Sequence, residues 1–121
     1  MSRRVVITGM GTVNPLGTGV DKFWSGIRAN KLGISFIDKF DTANTGVKIA
    51  GIVRDFDEAD YYDVKGCFDK KEAKRMDTFT KYAVVSAHEA ITDAGTDFSD
   101  LDPYRVGVLV GSGIGGIDLT L

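Results

Sequence analysis

Residues 105–116, RVGVLVGSGIGG, read as a buried strand running into a glycine-rich turn. Val106 to Val110 is a short apolar run carrying three valines, the composition of a strand covered on both faces, as in parallel sheets. A parallel neighbour requires a crossover connection, usually a helix. Ile117 to Leu121 is too short to supply one, so the expectation is an unfinished α/β architecture, the N-terminal part of a larger protein.

Upstream of this strand, the polar segment Thr96 to Tyr104, with Pro103, reads as a loop. Before it lies the strongest periodic pattern in the chain. Asp69-Lys-Lys-Glu72 has the form of a capping box, and Met76, Phe79, Ala83, Ala87, Ala90 and Ala94 recur every three or four residues until Gly95. The pattern predicts one helix of about 25 residues, roughly 38 Å long, whose alanines permit close approach of neighbouring backbone.

Nearer the N-terminus the signals are shorter. Val47 to Val53 predicts a strand, weakened by Gly51, whereas Ile34 to Thr45 shows no period. Asp55 to Gly66 is acidic and fits either a surface loop or a short helix. Thr18, with Asp21 three residues on, is the expected cap of a helix presenting Val20, Phe23, Trp24 and Ile27 and stopping near Gly33. Val5 to Thr8 reads as a first strand, opening into the loop Gly9 to Gly17.

Composition removes several classes of function. At 43% hydrophobic, the 121 residues fit an ordinary globular domain. The net charge of −2 argues against general binding to nucleic acid or a membrane surface, both of which leave a basic footprint. One cysteine allows no internal disulfide, and with one histidine it cannot build an ordinary Cys/His zinc site. The three-residue apolar run Val5 to Ile7 is too short for a signal-peptide core, and no stretch approaches the ~18 apolar residues of a membrane span. A soluble, cytoplasmic protein is expected.

Three groups of residues bear on chemistry. Gly111, Gly113 and Gly116 spell G-x-G-x-x-G after a predicted strand, half the context of a dinucleotide fingerprint. The following helix and acidic residue are not seen, and the glycines are read first as backbone devices for sharp turns and close packing. Lys70, Lys71, Lys74 and Arg75 crowd the predicted helix start, where the macrodipole disfavours cations. Physics alone leaves two readings there, a solvated face neutralised by Asp69, Glu72 and Asp77, or a site for an acidic partner or phosphate group. Cys67 and His88 could form an acyl-transfer pair, but an unbroken helix between them would hold them roughly 25–30 Å apart.

Taken in series, VVITGMGTVNPLG (5–17), KKEAKRMDTFTKYAVVSAHEAITDAG (70–95) and RVGVLVGSGIGG (105–116) resemble the N-terminus of type II β-ketoacyl-acyl-carrier-protein synthases, the elongating condensing enzymes of bacterial fatty-acid synthesis. GISFIDKFD (33–41) and KIAGIVRDFD (48–57) are similar to the family's intervening segment. The resemblance implies a thiolase-like fold, two similar α/β halves in an α-β-α-β-α layered sandwich, usually a homodimer. This chain would be an incomplete N-terminal half-domain spanning residues 1–121.

The resemblance further implies decarboxylative Claisen condensation of an enzyme-bound acyl group with malonyl-acyl-carrier protein, without a redox or metal cofactor. The nucleophilic cysteine and two histidines of the family lie downstream, and Cys67 and His88 match none of them. Lys71, Lys74 and Arg75 match basic positions that dock the acidic carrier protein, with Lys70 a fourth candidate by proximity. Gly113, Ile114 and Ile117 match positions around the acyl-chain pocket, Ile114 resembling one that moves as the chain is accommodated. Two other readings stay open: a nucleotide-binding oxidoreductase half-domain, and a non-catalytic relative that only binds the carrier protein.

Overall fold

The longest element of the computed structural model, which describes residues 3–116, is a helix over Thr78–Ala94. In chain order the elements are β1 (Val13–Asn14), β2 (Gly17–Thr18), α1 (Val20–Arg28), β3 (Ile34–Phe36), β4 (Ile49–Gly51), a 3₁₀ turn at Glu58–Tyr61, α2 (Lys70–Ala73), α3 (Thr78–Ala94) and a 3₁₀ turn at Pro103–Arg105. Two separate antiparallel pairs, β1 with β2 and β3 with β4, accompany the helices, giving a small α/β arrangement.

The expected 25-residue helix is two helices. The capping box forms at Asp69 and Glu72, but α2 runs only four residues. The Arg75 and Met76 amides then bond to carbonyls three residues back, at Glu72 and Ala73, and Asp77 is extended, with ψ 156°. The break removes most of the charge conflict: Lys70, Lys71 and Lys74 belong to a four-residue helix and its C-cap, too short to sum the macrodipole of the long helix the pattern predicts. At its far end α3 stops as the sequence predicts, at Gly95 in the left-handed conformation.

Gly9 and Gly11 let the N-terminal segment lie directly on α3. A Cβ on Gly9 would collide with the Ala90 carbonyl, and one on Gly11 with the Ser86 carbonyl. Between and beyond them, the Met10 amide donates to Asp93 and the Thr12 amide to Glu89, each at 2.9 Å. The other Glu89 oxygen accepts the Val20 amide at 2.7 Å, so a residue of α3 satisfies the first turn of α1. Thr18 is not that cap: its amide and hydroxyl both donate to Asp55 at 3.2 Å. Gly19 holds the cap position without a side-chain bond. Helix α1 also ends before Gly33, in a Schellman turn where Asn30 has φ 52° and the Lys31 amide reaches the Gly26 carbonyl at 2.9 Å.

Strand β3 was hidden by its pattern. Ile34 and Phe36 are exposed while Ser35 points inward, the reverse of a half-buried strand. The predicted strands Val5–Thr8 and Val106–Val110 are not paired among the described residues, and their side chains are bare, with Val5 90% and Leu109 99% exposed. A strand requires a neighbour for its amides and carbonyls, and none of the described residues supplies one there.

The buried core is correspondingly small. Phe68, Ala73 and Val85 are buried, with Val13, Phe56, Tyr61, Tyr62, Cys67, Met76 and Val84 packed around them. Phe56 stacks on Tyr61 at 5.5 Å between centroids and meets the edge of Tyr82 at 4.9 Å. These contacts fasten the 3₁₀ turn and α2 to α3.

Candidate functional site

The capping box that starts α2 decides the electrostatics of the basic cluster. One Asp69 oxygen accepts the Lys71 and Glu72 amides at 2.6 and 2.7 Å, and Glu72 accepts the Asp69 amide at 3.0 Å. Both acids are therefore committed to backbone rather than to the neighbouring cations. Ala73, fully buried, pins the turn to the core, while Lys70, Lys71, Lys74 and Arg75 are all exposed.

Ion pairs do form elsewhere, between Lys22 and Asp55 at 3.0 Å, Arg54 and Asp38 at 2.7 Å, and Lys81 and Glu58. None involves the four cations of the cluster among the described residues. Asp69 and Glu72 keep their charges but pair with none of these cations among the described residues, so the turn stays exposed and net positive, which favours the second of the two readings. Such a surface attracts an acidic partner and steers its approach.

Adjacent to this turn is a cavity of about 480 Å³, walled by the chain after β3, the end of β4, the start of α3 and the glycine turn. Phe40, Ile52, Val53, Phe79 and Tyr82 give it an apolar lining, and Ile114 stands at its edge, 82% exposed. Of the expected pocket residues, then, Ile114 is at the cavity. Gly113 is not among its lining residues, and a Cβ there would meet nothing within 4 Å. Ile117 falls outside the described residues. Phe79 was read only as one step of a helical period, and Tyr82 was not singled out. Asp77, at the same cavity, was read only as a neutralising charge.

Gly111 likewise lies in open space, with neither a strand before it nor a helix after it among the described residues. The structural context of a dinucleotide fingerprint is not found there. The described residues also contain no group of three or more His, Cys, Asp or Glu able to hold a metal ion, and no helix long and apolar enough to cross a membrane.

Cys67 and His88 are closer than expected. Because the helix breaks at Asp77, the chain folds back so that Phe68 shares a cluster with Val85. His88 Nδ1 stands 3.3 Å from where a Gly66 Cβ would be. The 25–30 Å separation required an unbroken helix and does not hold. Proximity does not make a nucleophile, however: burial pushes the Cys67 thiol up, away from the thiolate that attack requires.

Acid groups on this side of the molecule give a pH prediction. Burial works upward on Asp55, but hydrogen bonds from Lys22 and Thr18 outweigh it and hold the carboxyl below its ordinary range. Lys81, then Tyr62, lowers Glu58, and Arg54 lowers Asp38. Depressed folded-state values stabilise the fold above the unfolded carboxyl range, about 3.9–4.3, and the contribution is lost as pH falls through the folded values. Local structure around these carboxyls, read by amide hydrogen exchange, should therefore hold at neutral pH and loosen below about pH 4. At the alkaline end Tyr62, bonded to Glu58, is pushed up to about 12. Burial also raises Tyr61 and Tyr82, so an ultraviolet titration should show several late phenols, and Tyr62→Phe should remove the latest step.

A family-wide sequence profile described as "Beta-ketoacyl synthase, N-terminal domain" matches residues 2–120. The chain is 40% identical over 117 residues to the "3-oxoacyl-[acyl-carrier-protein] synthase 2" of Vibrio harveyi, and 44% identical over 117 residues to the protein of that name from Staphylococcus aureus strain N315. Each match covers 97% of this chain and 27% of the relative, so the chain spans about a quarter of the length of these curated relatives. Among solved structures, "The ishigamide ketosynthase/chain length factor" matches with a TM-score of 0.66 and 35% identity, covering 84% of this chain and 24% of that one.

Proposed function

The chain belongs to the β-ketoacyl synthase N-terminal domain family, and from that membership we propose that its parent is a 3-oxoacyl-acyl-carrier-protein synthase that elongates fatty acyl chains. An acyl group passes from its carrier-protein thioester to an enzyme cysteine. Malonyl-carrier protein then loses carbon dioxide, and the carbon so activated attacks the acyl thioester. The enzyme thiolate leaves, and the product is a 3-oxoacyl-carrier protein. The profile match running through residues 2–120 carries this reading.

Within the parent, residues 1–121 are the incomplete first part of one α/β half of an α-β-α-β-α sandwich. The bare runs at Val5–Thr8 and Val106–Val110 support it, being strands in want of sheet neighbours. The catalytic cysteine and both histidines belong to the rest of the parent, which acts as a cytoplasmic homodimer without a redox or metal cofactor. Here Lys71, Lys74 and Arg75, with Lys70 beside them, dock the acidic carrier protein. Gly113, Ile114 and Ile117 belong to the acyl pocket, and the apolar cavity beside Ile114 is consistent with that role.

A second reading is a non-catalytic carrier-protein-binding relative, since the similar solved structure contains a chain length factor beside a ketosynthase. Acyl loading separates the two. Parent protein incubated with acyl-carrier protein should acquire a thioester on a cysteine beyond residue 121, and Cys67→Ala should load within about twofold of wild type, because a protonated, packed thiol takes no part. Carrier binding without loading would select the second reading. A label on Cys67 would overturn the first.

A further inference from the structure

Asp77 precedes α3 at the position where an aspartate ordinarily accepts amides of the helix's first turn. Its carboxylate accepts none of them. The turn is closed by backbone instead, the Thr80 and Lys81 amides donating to the Asp77 carbonyl at 3.0 and 3.1 Å. The side chain is directed at the glycine turn. A Cβ on Gly116 would collide with Asp77 Oδ2, so only a glycine lets the backbone come this near. Oδ1 is buried with no hydrogen-bond partner among the described residues, and Asp77, Ile114, Gly115 and Gly116 all border one cavity.

Burying a carboxylate oxygen costs free energy, and here the usual return, a cap on α3, is not taken. We propose that Asp77 is a positioning residue whose carboxylate braces Gly116 against the start of α3 and so fixes Ile114 at the mouth of the cavity. The inference rests on the reading of Ile114 as an acyl-pocket residue. It adds a reason for the helix break: in an unbroken helix Asp77 would lose the extended backbone that presents its side chain to the turn. Arg75, two residues earlier, belongs to the docking cations, so one short break carries both the docking charge and the brace.

The test uses the full-length parent with Asp77→Ala, Asp77→Asn and wild type, read by amide hydrogen exchange over 113–116 and by kcat/KM for long and short acyl-carrier proteins. Asp77→Ala should speed exchange at the turn up to about tenfold, the worth of a hydrogen-bond-sized contact. It should shift the long-to-short kcat/KM ratio by about threefold to tenfold while KM for the carrier protein stays within about twofold. Asp77→Asn, which keeps the volume and one acceptor oxygen, should remain near wild type in both. Unchanged exchange in Asp77→Ala overturns the brace, and so does equal loss for all chain lengths with a lowered melting temperature in both variants. A wild-type parent that does not condense counts against the proposed function, and the exchange measurement then judges the brace by itself.

Discussion

Expressed alone, residues 1–121 are expected to give no condensation product and no sharp thermal transition. The chemistry is missing because Cys67 lacks the setting of a nucleophile. Burial holds the thiol up, and the nucleophile of the proposed reaction belongs to the rest of the parent. The cooperative melt is missing because the buried core among the described residues is Phe68, Ala73 and Val85 alone. Val5, Val6, Ile7, Val108, Leu109 and Val110 are all exposed. Leaving six such side chains in water withholds on the order of 10 kcal/mol, as much as the whole stability of a typical domain. A circular-dichroism melt should be broad, with hydrophobic dye bound at low temperature. A single steep transition, or measurable condensing activity, would contradict the account.

The second large effect is expected at the turn proposed to dock the carrier protein, Lys70 to Arg75. In the parent, the pair Lys74→Glu and Arg75→Glu replaces two attractions to the acidic carrier protein with two repulsions. Exposed ion pairs contribute about 0.2–1 kcal/mol each, so the double reversal should raise Kd by about tenfold or more at low salt. Screening shortens the reach of these charges to about 8 Å at physiological ionic strength, so the deficit should shrink as salt is added and the salt dependence of binding should flatten. Because the reacting groups lie elsewhere, kcat at saturating carrier protein should stay near wild type. Neither residue has an ion-pair partner among the described residues, so the substitutions break no internal salt bridge. Unchanged affinity at low salt would return the cluster to an ordinary solvated face.

What was legible in the sequence is what local chemistry determines. The Asp69–Glu72 box and the stop at Gly95 follow from residues close together in the chain, whereas the seating of Gly9 and Gly11 on α3 joins distant segments and was foreshadowed only by the small side chains of that helix. The break at Asp77 was not legible, because Met76 and Phe79 continue a helical period across it and a period does not register backbone torsion. The error spread: the distance from Cys67 to His88 and the charge logic of the lysines both assumed the unbroken helix.

Tertiary substitution hid other features. Glu89 satisfies the first turn of α1 from 69 residues away, and Thr18, an adequate local cap, is taken by Asp55. Strands were the least legible elements. Short β3 faces its apolar residues outward, while the two clear strand patterns, Val5–Thr8 and Val106–Val110, find no pairing neighbours among the described residues. In the candidate site the basic residues were visible because charge density is a sequence property. The cavity was not, because Phe79, Tyr82 and Asp77 meet Ile114 only through the fold.

Supplying the purified parent with an acyl-carrier protein and malonyl-carrier protein shows whether this chain is part of a carbon–carbon bond-forming synthase. One carbon dioxide and one 3-oxoacyl-carrier protein, two carbons longer than the acyl substrate, should form for each acyl group consumed. A parent that binds both carrier proteins but releases carbon dioxide without forming the longer product, or that forms neither, would contradict that reading.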